Sequence, residues 1–115
     1  MPKGSDYPGP PERLALYLHI VERHPDAEVK GAKNPYTSLN GWMTSFLDPD
    51  GAVCLRLPDE DRATLIDDHG GAAVQQYGRN MPEFVSLAAD AADDEATVDA
   101  WFARSWEWTG TKPPK

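Results

Sequence analysis

The spacing of apolar residues changes period several times along the chain, and each change marks an element. Leu14, Tyr17, Leu18 and Val21 recur at i, i+3, i+4 and i+7, behind Pro10-Pro11 and ahead of Pro25. That spacing predicts an amphipathic first helix with proline at its start and its stop. From Ala27 to Leu57 the pattern turns β-branched and aromatic, divided by Asn40-Gly41 and by Asp48-Pro49-Asp50-Gly51, both strong turn formers. Three antiparallel strands are expected, near 27–32, 36–47 and 52–57. In the third, Val53, Leu55 and Leu57 share one face and Cys54 and Arg56 the other, because strand side chains alternate. Asp59, Glu60 and Asp61 suit a helix N-terminus, Ala63, Leu65 and Ile66 supply a short apolar face, and Gly70-Gly71 closes a second helix. Val74–Tyr77 and Phe84–Leu87 read as two further strands around Gly78-Arg79-Asn80. A last helix starts near Asp93-Asp94-Glu95 and carries the stripe Val98, Trp101, Phe102, Ser105 and Trp108, with Trp106 beside it. The expected fold is therefore α+β: two layers in the order α-β-β-β-α-β-β-α, an antiparallel sheet packed against helices.

A chain of 115 residues, 40% of them hydrophobic, carries enough apolar material for one core and no second domain. Residues 1–9 are rich in Pro and Gly and are expected to form a flexible tail. Residues 10–112 form the single domain, and 113–115 a short C-terminal tail. Eleven Lys and Arg against nineteen Asp and Glu leave a net charge of −8. A polyanionic backbone would be repelled by such a surface, so autonomous nucleic-acid binding is not expected. No apolar run reaches membrane-spanning length, and the N-terminus lacks the apolar stretch of a secretion signal. A cytoplasmic protein without membrane partners is expected. Cys54 stands alone, which excludes an internal disulfide and any Cys-rich zinc site.

The densest polar segment runs from Lys30 to Gly41. Lys30, Lys33, Asn34, Tyr36, Thr37, Ser38 and Asn40, joined by Arg79, combine cations, hydroxyls and amides able to hold an anion or a small polar ligand. The same residues also serve as turn formers and strand-end caps. Asp48-Pro49-Asp50-Gly51 has its glycine at the fourth position of any calcium loop rather than the sixth, so a hairpin turn is the better reading. His19, His24 and His69 show no paired ligand spacing, so neither metal nor cofactor is expected. Nucleophile signatures are absent from the sequence, and strand alternation leaves open whether the Cys54 thiol faces solvent. Trp101 and Phe102 are expected in the core; Trp106 and Trp108 are the candidate interaction surface.

Three blocks, Gly51-Ala52-Val53-Cys54-Leu55-Arg56-Leu57-Pro58, Gln76-Tyr77-Gly78-Arg79-Asn80-Met81-Pro82-Glu83-Phe84-Val85 and Trp101-Phe102-Ala103-Arg104-Ser105, occur in an order that resembles the N-terminal domain of the TfoX/Sxy family. Pro35-Tyr36-Thr37-Ser38-Leu39-Asn40-Gly41 looks like a short stand-alone branch of that family, in place of the Met-Phe-Gly-Gly type of segment in its competence regulators. The resemblance implies a YjbR-like or secretion-chaperone-like fold. It maps Gly78, Arg79, Met81 and Phe84 onto a Gly-Arg-x-Met-x-x-Tyr/Phe pattern of structural purpose, and it carries over no catalytic residue. Full-length members of that family act as transcriptional coactivators and have a further C-terminal domain, which this chain is expected to lack. The resulting expectation is a non-enzymatic regulatory or protein-interaction module with a protein partner or a second copy of itself. The alternative is a small-ligand or anion binder, or an unrecognised enzyme, using the Lys30–Asn40 segment.

Overall fold

Proline rather than a side-chain cap opens the first helix. Pro10 is extended, Pro11 occupies the first turn, and the Pro10 carbonyl accepts from the backbone N–H groups of Arg13 and Leu14. The computed structural model describes residues 6–31, 33–76, 79–88 and 94–114, with Gln76, Arg79 and Asn80 described in backbone only. The elements are α1 (Pro11–Glu22), β1 (Tyr36–Leu39), β2 (Trp42–Leu47), β3 (Val53–Arg56), α2 (Asp59–His69), β4 (Ala72–Gln76), β5 (Arg79–Ser86) and α3 (Glu95–Gly110). The order is the one expected, and the fold is α+β. Five antiparallel strands in the order β1-β2-β3-β5-β4 form one sheet packed against the helices.

Several strand boundaries differ from expectation: β4 begins at Ala72 rather than Val74, and β5 begins at Arg79 rather than Phe84, so Arg79 and Asn80, expected in a turn, are strand. The segment near 27–32 is not a strand: Lys30 alone makes an isolated bridge to Tyr36, and Gly31 at φ 85° turns the chain immediately afterwards. The segment 36–47 is two strands, folded at Asn40 and Gly41, whose φ values of 55° and 86° are those of a two-residue hairpin turn. Asp48 closes the next hairpin by accepting from the N–H groups of Asp50 and Ala52 at 3.0 and 2.8 Å, a side-chain-stabilised turn. Gly51 is required there: its φ is 91°, and a Cβ would stand 2.9 Å from Arg13 Cγ. Tyr7, expected in a loose tail, is half-buried and donates its phenol hydrogen to the Asp48 carbonyl at 2.5 Å.

The main core lies between sheet and helices. Tyr17 and Ile20 of α1, Leu65 of α2 and Val98 and Phe102 of α3 meet Leu47, Leu55 and Val85 of the strands. Burying such side chains contributes roughly 1.5–3 kcal/mol each. On α3 the buried stripe is Val98, Phe102, Ser105 and Thr109. Trp101 is half-buried rather than central, with the Arg104 guanidinium carbon 5.5 Å from its ring centroid. Small residues take its place because α3 packs closely on the sheet, where Ser105 Oγ donates to the Thr44 carbonyl at 3.0 Å. On α2, Leu65 is buried but Ile66 is 41% exposed, so the expected three-residue apolar face narrows to one.

Candidate functional site

Strand alternation divides the polar segment between the two faces of the sheet. Thr37 points to the helix side and is fully buried. The β1–β2 register skips one residue between Thr37 and Ser38, a bulge that turns both Thr44 and Ser45 inward. Thr37 Oγ1 lies 2.5 Å from both Thr44 Oγ1 and Ser45 Oγ, and the Tyr17 hydroxyl lies 2.7 Å from Ser45 Oγ. These hydroxyls satisfy one another in the core, and burial pushes the Tyr17 phenol well above its ordinary pKa. Thr37 is therefore part of a packing network with no route to a ligand.

Tyr36 and Ser38 take the opposite face with Lys30, whose Nζ donates to Ser38 Oγ at 3.3 Å. Lys33, Asn34 and Asn40 are exposed on the flanking turns. The backbone of Arg79 opens β5 opposite Gln76, and its side chain lies outside the described residues. On this far face Phe46, Cys54, Val74 and Phe84 form a second apolar cluster made of strand residues alone, joined by Tyr36, Met43 and Met81. Cys54 is 1% exposed within it; desolvation, then the Asp48 charge, pushes its thiol well above the ordinary range. The question that strand alternation left open is answered by burial: the thiol is packed inside this cluster, as a passive small residue would be.

At the rim where β5 and β2 meet the end of α3, the charges and aromatic rings converge. Arg56 Nε donates to the Met43 carbonyl at 2.7 Å, and its NH1 pairs with Glu83 Oε1. The Arg56 guanidinium carbon stands 4.7 Å from the Phe84 centroid and 5.3 Å from that of Trp42. Lys112 Nζ donates to Glu83 Oε2 at 3.0 Å and lies 4.8 Å from the rings of both Trp42 and Trp108. Trp42 Nε1 in turn donates to the Pro113 carbonyl at 2.9 Å, which ties the end of the described chain to the sheet. Burial acts to raise the Glu83 pKa, but the Lys112 hydrogen bond and the Arg56 charge outweigh it and hold the carboxyl below its ordinary value.

Comparison with known proteins finds no family model, no curated protein and no solved structure that matches the chain. The functional reading rests on the residues themselves.

Two clefts flank the rim. One, of about 270 Å³, is lined by Arg56, Met81, Pro82, Glu83 and Phe84. The other, of about 260 Å³, lies between α2 and α3 and is lined by Pro58, Asp61, Arg104, Glu107, Trp108 and Thr111. In it Arg104 grips Asp61 through both Nε and NH2, at 3.1 and 2.7 Å. The Asp61 hydrogen bond and charge raise the Arg104 pKa further. The two tryptophans read as interaction candidates thus differ. Trp106 is half-buried, stacks on Phe102 at 6.2 Å and packs against the main core, whereas Trp108 lines the α2–α3 cleft and touches Lys112.

A third cluster joins α1 to α3 and was not visible in the sequence. His19 Nε2 is 3.1 Å from Glu95 Oε1, Arg23 NH2 is 2.9 Å from Glu95 Oε2, and His24 Nε2 is 2.9 Å from Asp99 Oδ1. Among the described residues, no group of three or more His, Cys, Asp or Glu is placed to hold a metal ion. Nor is any described helix long and apolar enough to cross a membrane.

Proposed function

We propose that this chain is a non-enzymatic protein-interaction module, with its partner surface at the rim formed by Trp42, Arg56, Phe84, Trp108 and Lys112. The observation that carries the reading is composition in place: two tryptophans and an arginine, the residue types that dominate interface energetics, gather on one rim between two clefts. Two cations face one carboxylate there, in a chain whose net charge is −8. The charge contrast favours a partner segment carrying negative charge. Elsewhere Arg23, Arg62 and Arg104 are each paired with a carboxylate, which supports the expectation that the protein does not bind nucleic acid alone. The resemblance to TfoX/Sxy N-terminal domains supports a regulatory setting for this interaction in the cytoplasm.

The test is affinity capture from the native host with three baits: wild type, Trp108→Ala and Ile66→Ala, the last an exposed control on α2. A discrete protein should be recovered with wild type and Ile66→Ala and reduced about tenfold or more with Trp108→Ala, the loss expected of an interface anchor. Recovery of the same proteins by all three baits, or of none, contradicts the reading.

A further inference from the structure

We propose that Arg56 receives a second carboxylate, supplied by an acidic side chain set in an apolar stretch of the protein partner. The inference rests on the partner-binding reading above and names the chemistry of its contact. Arg56 is fixed before any ligand arrives. Its Nε is held by the Met43 carbonyl, its NH1 by Glu83, and its plane by the rings of Phe84 and Trp42. An arginine immobilised in this way loses little side-chain entropy on binding, and its planar fork suits carboxylates better than a lysine would. Among the described residues NH2 has no hydrogen-bond acceptor, and the side chain, 13% exposed, opens on the cleft of about 270 Å³ beside Met81, Pro82 and Phe84.

The chain itself shows what such a site accepts. Glu83 sits between Met81-Pro82 and Phe84, an acid in an apolar run, and lays its carboxylate on Arg56. Lys112 shares the Glu83 charge, so the pair of cations is neutralised only in part and the cleft keeps a net attraction for an anion. The walls of Met81, Pro82 and Phe84 would accommodate the apolar residues beside the incoming acid, while water would be displaced from an already half-dry guanidinium. Glu83 then has a second role: it competes with the partner's acid for the same cation.

The probe is the peptide acetyl-Gly-Leu-Glu-Leu-Gly-amide and its Gln counterpart, titrated into isotopically labelled protein at low salt. Binding is followed at the Arg56 Nε–H and Trp42 indole N–H resonances. The Glu peptide should shift both signals saturably, and the Gln peptide should bind about tenfold more weakly, as expected for loss of a charge-assisted hydrogen bond. Glu83→Gln, which removes the competing charge, should tighten the Glu peptide about threefold or more. Arg56→Gln should abolish the preference for Glu over Gln. If that variant fails to fold, Glu83→Gln still decides the matter. Equal affinity of the two peptides, or no saturable shift in either wild type or Glu83→Gln, overturns the inference. If partner capture by the Trp108 rim survives that result, the surface works by other chemistry; if capture fails as well, the interaction reading falls with it.

Discussion

Leu55, Val85 and Phe102 on the helix side of the sheet and Cys54 and Phe84 on the far side are all at most 3% exposed, yet they are buried by different means. On the helix side two layers close on each other, and even the polar groups are inward: Thr37, Thr44, Ser45 and Tyr17 satisfy one another. Among the described residues, the apolar cluster on the far side holds no helix side chain. Strand side chains cover each other, and Arg56 lies across Phe84. The first arrangement is a closed packing problem, whereas the second ends in charged groups and clefts at a rim that solvent reaches. If the proposed interaction reading holds, stability and recognition depend on different parts of the molecule and can be changed separately.

The largest effect should come from the helix side. Phe102→Ala removes a ring of the main core that packs on His24, just past the end of α1, and on Trp106, and should cost roughly 3–5 kcal/mol in a denaturant melt. A loss much smaller than this would mean that the helix layer is not the seat of stability. Tyr17→Phe keeps the ring but strips Ser45 of a buried hydroxyl partner, and should cost about 1–3 kcal/mol with no change in partner capture. Glu83 gives the smallest effect, and its sign follows from its depressed pKa. The stabilisation is complete above the ordinary glutamate value of 4.5 and is lost as pH falls through the lower value in the folded chain. Since Glu83 is 31% exposed, the expected amplitude is about 1 kcal/mol or less. Thermal melts from pH 5 to pH 2 should show this component in wild type and not in Glu83→Gln; an identical acid profile for the two would deny the rim pairing any energetic weight.

The order of elements was legible because its signals are local. Asn40-Gly41 and the Asp48 turn act through their own backbone conformations, and Pro11, Asp94 and Gly70 mark helix ends wherever they occur. Ambiguity entered where burial decides. Lys30 looked like part of a strand because it follows Val29 at the head of the β-branched and aromatic stretch, but only an isolated bridge forms before Gly31 turns the chain. Trp101 looked more central than Thr109 by hydrophobicity, yet the close approach of α3 to β2 favours small side chains. The rim was least legible. Arg56 was placed on the Cys54 face by alternation, but its partners Glu83 and Trp42, and the Lys112 that shares Glu83 with it, come from elsewhere in the chain, and no local pattern joins them. The same holds for His24 and Asp99, which helix packing alone brings together.

The claim that the rim is the recognition surface is tested most directly by site-specific photocrosslinking in the native host, with a photoreactive residue placed at position 108 or, as control, at position 66. Trp108 lines a cleft at the rim and Ile66 is 41% exposed on α2, so both positions are reachable. The account predicts a discrete crosslinked protein from position 108, suppressed by excess unlabelled wild type and nearly absent from position 66. A partner that crosslinks equally well from both positions, or from position 66 alone, would contradict it.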